Sequence, residues 1–199
     1  MMNVQASTQR KLNVRKMAVI SVLSAVSIML SMIPFVGYIP LGFVDITIMH
    51  VPVIIGAVVE GPLVGAAVGL IFGFTSLIKA FTQPTLTSFC FMNPVISVLP
   101  RILIGVMAYY AYTLAYKLSK KVYVSGFIAG VIGSFTNTIG VMGLIYLIYA
   151  QKYMEAIGVS GSAAKYVLAV CATNGIPEAI VAGFLVAAVA AVMMRKSKK

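Results

Sequence analysis

Six apolar blocks, separated by short charged or turn-forming segments, run almost the whole length of this chain. A helix needs roughly 20 apolar residues to cross the hydrocarbon core of a bilayer. In lipid, moreover, every backbone N–H and C=O must find its partner inside the protein. Blocks of this length therefore predict a helical bundle. They run from about Met17 to Phe35, Val44 to Val59, Pro62 to Ala80, Pro94 to Tyr116, Val122 to Tyr149 and Tyr166 to Met194. Composition agrees, since 61% of the 199 residues are hydrophobic, 10% are charged and the mean hydropathy is +1.03. The expected fold is an all-α integral membrane protein, a bundle of six transmembrane helices forming a single domain over residues 1–199. Block two is the irregular one, because it is short and carries Asp45, His50 and Pro52 in its first half. Block five is longer than a span requires, which predicts tilt or an extension beyond the hydrocarbon.

Positive charge sets the expected orientation. Arg10, Lys11, Arg15 and Lys16 precede block one, Lys117, Lys120 and Lys121 separate blocks four and five, and Arg195, Lys196, Lys198 and Lys199 close the chain. With six spans these eleven residues share one side, against Lys79, Lys152 and Lys165 on the other. Basic residues accumulate on the cytoplasmic side, so both termini are expected inside the cell, in a plasma-membrane protein with a polar leader over 1–16 and a basic tail over 195–199. The leader lacks a convincing small-residue cleavage site before Pro34, which argues against a removed signal peptide. The same arithmetic accounts for the net charge of +11 without nucleic acid.

Small residues form stripes. Gly61, Gly65, Gly69 and Gly73 recur every fourth residue in block three, and block five carries Gly126, Gly130, Gly133, Gly140 and Gly143. Such stripes let membrane helices approach closely, although a glycine-lined pathway would look the same. In block one, Ala18, Ser21, Ser24, Ala25 and Ser31 lie mostly along one side. That side suits packing within the bundle or docking of a separate membrane subunit. Cys90 and Cys171 have no metal-ligand spacing and read as packing residues, while Tyr109, Tyr110, Tyr112 and Tyr116 read as interface anchors.

The stretch "NPVISVLPRILIG" at 93–105 places Arg101 inside an apolar block, downstream of Pro94 and Pro100. A charged side chain in a span costs roughly 3 kcal/mol on translocon scales and needs a partner or an aqueous cavity. Proline frees carbonyls in the preceding turn and bends the helix. With the helix starting near Asn93, Arg101 lies about two turns below the outer surface, the depth of a pocket. Asn137, Thr136 and Thr138 in block five, and Asn174 and Glu178 four apart in block six, reach a similar depth. Two readings are open. Either Arg101 pairs with Glu178 or Asp45 to hold the bundle together, or it binds an anionic group while Asn93, Asn137, Asn174, Thr136 and Glu178 bond a polar body, with His50 and Asp45 nearby. Arginine's planar fork fits a carboxylate, and asparagine offers both donors and acceptors. His50 stands alone, more in the manner of a satisfied polar residue than a metal ligand, so neither metal nor cofactor is expected. Glu60, at the turn before Gly61 and Pro62, reads as solvated, and the segment 80–93 suits a lid.

Across blocks two and three, "DITIMHVPVIIGAVVEGPLVGAAVGLIFGFTSLI" resembles the substrate-binding S-components of energy-coupling factor (ECF) vitamin transporters. The likeness rests on Asp45 ahead of Pro52, followed by Gly61, Pro62, Gly65 and Gly69, and its general layout extends over nearly the whole chain. It implies a subunit that captures a water-soluble vitamin outside the cell, then joins a membrane coupling subunit and two ATP-hydrolysing subunits and topples to release its load. Ala18, Ser21 and Ala25 look like the family's Ala-x-x-x-Ala docking face, with serine in place of the first alanine. Where many members carry an acidic residue after the last glycine of helix three, this chain has Phe74 and Thr75, so the resemblance assigns no ligand role there. "NPVISVLPRILIG" and "ITIMHVPVIIGA" are similar to members that take up pantothenate, with riboflavin, folate and cobalamin as alternatives.

The chain has no G-x-x-x-x-G-K-[ST] loop to cradle nucleotide phosphates. It also shows no nucleophile elbow, no metal-spaced cluster and no paired carboxylates in one segment, which speaks against an enzyme. A channel would need more polar residues in the inner half, and a scaffold without cargo remains the competing class.

Overall fold

A computed structural model describes the backbone of residues 2–33, 37–40 and 45–196, and the side chains of 14–33, 37 and 47–193. Its elements are α1 (Met2–Met32), β1 (Tyr38–Pro40), β2 (Asp45–Thr47), α2 (Val51–Glu60), α3 (Pro62–Thr82), α4 (Ser88–Phe91), α5 (Pro94–Ser119), α6 (Val122–Ala156), α7 (Ala163–Thr173) and α8 (Gly175–Lys196). Of the six expected spans, block two, already read as the irregular one, does not form a full span, and block six is divided into two helices. Among the described residues, five segments are long and apolar enough to cross a membrane: Val14–Met32, Pro62–Thr82, Pro94–Ser119, Val122–Ala156 and Ala163–Met193, the last of them α7 and α8 together. The second block is instead an antiparallel β1–β2 pairing, Tyr38 opposite Thr47, followed by a helix of 10 residues. At 1.5 Å per residue α2 is about 15 Å long, too short to cross alone.

Local chemistry explains these boundaries. α2 opens on His50 with Pro52 in its first turn, where the missing proline N–H costs nothing. It ends at Gly61, whose φ of +104° strains any other residue, and Pro62 immediately opens α3. The sixth block breaks at Asn174, between α7 and α8, next to Gly175 and Pro177. The fifth continues seven residues beyond Tyr149, where the backbone departs from helix (φ −130°, ψ 19°). The leader continues α1 as helix.

Backbone-to-backbone contact holds the bundle. On α3, a methyl group added at Gly69 would lie 2.1 Å from the Arg101 carbonyl oxygen, and one at Gly73 would lie 2.8 Å from Val98 Cα. Gly105 of α5 reciprocates, against the Gly65 backbone at 2.4 Å. Gly126 and Gly130 make the equivalent seam between α6 and α8, against Ala187 and Ala182. Gly61 belongs to the turn and not to the stripe. Gly133 receives Ile54 of α2, which lies at the centre of the core with Val53, Ala57, Val68, Ile104 and Val186. On α1 the small residues divide. Ser24, Ser27 and Ser31 are buried, and Ser27 donates to the Met49 carbonyl at 2.9 Å. Ala18, Ser21 and Ala25 are exposed.

Two further expectations change. Tyr112 is buried and stacks on Tyr116 with centroids 6.0 Å apart, so it is a core residue and no interface anchor, while Tyr110 is exposed. Glu60 is only 9% exposed and pairs with Arg15 at 2.7 Å, tying α2 to α1. Cys90 and Cys171, both free thiols, sit in a small second cluster with Ile96, Val141 and Met142.

Overpacking a tight seam typically costs about 1–3 kcal/mol. Gly69→Ala should therefore melt clearly below the parent protein in detergent, whereas Gly143→Ala, with nothing within 4 Å of its added methyl, should stay within about 0.5 kcal/mol. Thermal-shift curves of the two variants check this, and coincident curves would remove the seam from the account.

Candidate functional site

A cavity of about 470 Å³ lies where the irregular segments meet. Its walls come from the end of α1, from β2 and the turn into α2, and from α3, the α4 segment, α5, α6, α7 and α8. Such a volume falls within the range of about 300–1,000 Å³ usual for small-molecule sites.

Arg101, 7% exposed, lines the cavity. Pro100 has no N–H to give to the Ile96 carbonyl four residues earlier. The Arg101 guanidinium takes that place, Nη1 donating to Ile96 O at 2.7 Å. Its charged carbon lies 5.6 Å from the centre of the Phe72 ring and 5.5 Å from that of Phe91, close enough for cation–π attraction. Proline, carbonyl and two rings thus fix the planar head in one orientation. The puzzling company of prolines and an arginine in one apolar block has a local explanation: Pro100 leaves a carbonyl without its helical donor, and the cation bonds it.

Glu178, 6% exposed, faces the same cavity from the first turn of α8. It accepts from both the backbone N–H (2.9 Å) and the hydroxyl (2.8 Å) of Thr47. These bonds anchor the β1–β2 hairpin to α8. Thr138 of α6 adds its hydroxyl beside the same carboxylate. Asn137 and His50 also line the cavity, and Asn137 Oδ1 and His50 Nε2 are buried with no hydrogen-bond partner among the described residues. His50 is thus a buried, incompletely bonded group where the sequence suggests a satisfied one. Asn174 lines the cavity as well, with Oδ1 accepting from Thr173 at 3.0 Å.

The other candidates lie elsewhere. Asn93 caps α5, accepting from the Val95 N–H at 3.0 Å, and Thr136 donates to its own helix at Ile132 O, 2.7 Å. Neither lines the cavity, and on α6 it is Thr138 that does. The Asp45 side chain lies outside the described residues, its backbone opening β2 opposite Pro40. Phe74 is exposed, and Thr75 bonds back to Ile71 O.

Several lining residues escape a reading of the sequence. Lys79, which looks like a loop charge, enters the cavity and donates to the Ser31 carbonyl at 2.5 Å, at the C-terminal end of α1. Phe72, Ser76, Lys79 and Gln83 follow one another at steps of four, three and four, a single helical face that carries polar groups. In the 80–93 segment, Thr85, Thr87, Ser88 and Phe91 border the cavity, held together by the Ser88 hydroxyl, which accepts from Thr85 N at 2.7 Å, and by Ser97, which donates to Phe91 O. Tyr153, beyond the α6 kink, and Tyr166 of α7 pack their rings 6.2 Å apart near the same mouth. The assembly offers a cation, a carboxylate and neutral hydrogen-bonding groups in a recess shielded from lipid, which suits binding a polar organic anion.

Proteins of similar sequence bear on this geometry. The chain is 32% identical over 158 residues to the pantothenic acid transporter PanT of Lactococcus lactis, covering 72% of this chain and 74% of that protein. It is 30% identical over 179 residues to the pantothenate transporter PanT of Leuconostoc mesenteroides, covering 85% and 87%. The family model of the ECF transporter substrate-specific component matches residues 15–190, so that a membrane bundle around one polar cavity, read first from residues and then from geometry, belongs to the substrate-specific components of ECF transporters.

Proposed function

We propose that this protein captures pantothenate from outside the cell and delivers it inward as the substrate-binding subunit of an ATP-driven transporter. The observation that carries the reading is Arg101, a guanidinium oriented by Ile96 O, Phe72 and Phe91 at the wall of a buried cavity. Pantothenate has one carboxylate for that fork and an amide and two hydroxyls for Asn137, Asn174, His50 and Glu178. The relatives named for pantothenate support the same cargo. Cobalamin is too large for the cavity, and the two phenylalanines beside Arg101 serve the guanidinium, which weighs against a flavin. Asp45 remains a candidate for the same site, whereas Asn93 and Thr136 have structural work as a cap and a helix-backbone donor.

Both termini inside the cell is the orientation we favour. Lys117, Lys120 and Lys121 surround the α5–α6 turn, while the 80–93 segment and the far end of α6 at Tyr153, which border the cavity, lie at the opposite helix ends. Basic residues then face the cytoplasm and the cavity faces out. Energy would come from partner subunits: a membrane coupling subunit docked on the exposed Ala18, Ser21 and Ala25, and two ATPases beyond it. An apolar groove of about 260 Å³ beside that face, between Val22, Leu23, Ile55, Val59 and Met193, supports a helix-sized contact there.

Calorimetric titration in detergent should give pantothenate binding at about micromolar affinity or tighter, weakened about 100-fold or more in Arg101→Ala because a charge-assisted bidentate contact is lost. A folded protein that ignores pantothenate sinks the assignment. Bulk on the docking face separates capture from transport. Ala18→Trp combined with Ala25→Trp should abolish pantothenate uptake by cells while leaving binding in detergent unchanged, and normal uptake would remove the docking role from this face.

A further inference from the structure

Arg101 and Glu178 line the cavity from two different helices, α5 and α8. α5 packs on α3 and α6, and α8 packs on α6 and α7, so α6 lies between the helices that carry Arg101 and Glu178. Gly140 of α6 meets Pro100, the neighbour of Arg101, at 3.0 Å from an added methyl. Two residues earlier, Thr138 stands beside Glu178. Next to Thr138, Asn137 presents to the cavity a buried Oδ1 with no partner among the described residues, an acceptor like the carboxylate itself. Lys79 also lines the cavity from α3, seven residues or about 10 Å along the helix from Phe72, whose ring the Arg101 guanidinium faces, and its Nζ donates to the Ser31 carbonyl.

From this arrangement we infer that the acceptor wall formed by Glu178 and Asn137 determines specificity: it takes the hydroxyl-bearing end of the ligand and refuses a second anionic group there. The inference rests on the pantothenate reading and adds to it the direction of the bound molecule and the class of compound excluded. With the ligand carboxylate on Arg101, its two alcohols donate to Glu178 and to the unpartnered Oδ1 of Asn137. The carboxylate of Glu178 is held in place by the N–H and hydroxyl of Thr47. A phosphate ester on the terminal alcohol would replace a donor with a dianion facing that carboxylate. Like charges brought together without water cost several kcal/mol. The site would thus accept the free vitamin and reject its phosphorylated form, independently of how large the mouth is.

The test is calorimetric titration of the full chain in detergent with pantothenate and with its 4′-phosphate ester, for the parent protein and for Glu178→Gln. The parent should prefer pantothenate by roughly 100-fold or more. In Glu178→Gln, which keeps an acceptor for Thr47 but removes the charge, that preference should fall to about tenfold or less, whatever happens to the absolute affinities. Equal binding of both compounds by the parent overturns the inference while leaving the pantothenate reading standing. A preference that survives in Glu178→Gln also overturns it, because exclusion is then steric. Absence of any pantothenate binding overturns both. The parent titration decides by itself if the variant does not fold.

Discussion

Close approach of α3 and α5 is the constraint on which the rest of this structure depends. Water cannot drive helices together inside a bilayer, so contact has to come from shape. Gly65, Gly69, Gly73 and Gly105 supply it by leaving no side chain between two backbones. The same seam sets the position of Arg101, whose own carbonyl rests against Gly69. A wider interface would move the guanidinium away from Phe72, which belongs to α3, and dissolve the arrangement that makes a charge tolerable at this depth. Helix packing and the site are therefore one problem with one solution.

Irregular backbone gathers around the cavity. The β1–β2 pairing, the start of α2, the break at Asn174, the kink at Tyr149 and the one-turn α4 all contribute to its rim or walls. A bilayer permits this in a protein interior and forbids it against lipid. Lipid meets instead the exposed Leu70, Phe74, Ile78 and Phe81 of α3, and Leu114 and Leu118 of α5. The polar groups freed by each irregularity are the ones that make the recess hospitable to a polar molecule. Pro100 illustrates this most directly, since the carbonyl it releases orients the cation.

Much of this could be read in the sequence because some signals are local. The apolar blocks mark the helices, the charged punctuation marks their ends, and an arginine within an apolar block points to a cavity on energetic grounds alone. Asn174 and Glu178 share a face by simple helical spacing, and both line the cavity. Other features depend on quantities a single sequence does not carry. Rotation about the α6 axis decides between Thr136 and Thr138. Asn93 looks like a pocket residue until its side chain is seen capping α5. Thr47 meets Glu178 across 131 positions of chain, a contact with no local trace. Lys79 was open to discovery, since Phe72, Ser76 and Gln83 mark its face, but a basic residue near a helix end suggests a loop charge first.

The shortness of α2 has a consequence for the barrier as a solute would experience it. His50 sits at its start, and the packed residues Val53, Ile54 and Ala57 fill the helix behind it. A molecule resting against His50 is separated from the opposite face by about 15 Å of close-packed protein, half the hydrocarbon thickness of roughly 30 Å. From Val51 to Val59, α2 offers no side chain that could hydrogen-bond a solute. The dielectric profile of the fold is thus asymmetric about α2: a polar recess lies at its start, and packed apolar side chains fill the length behind it.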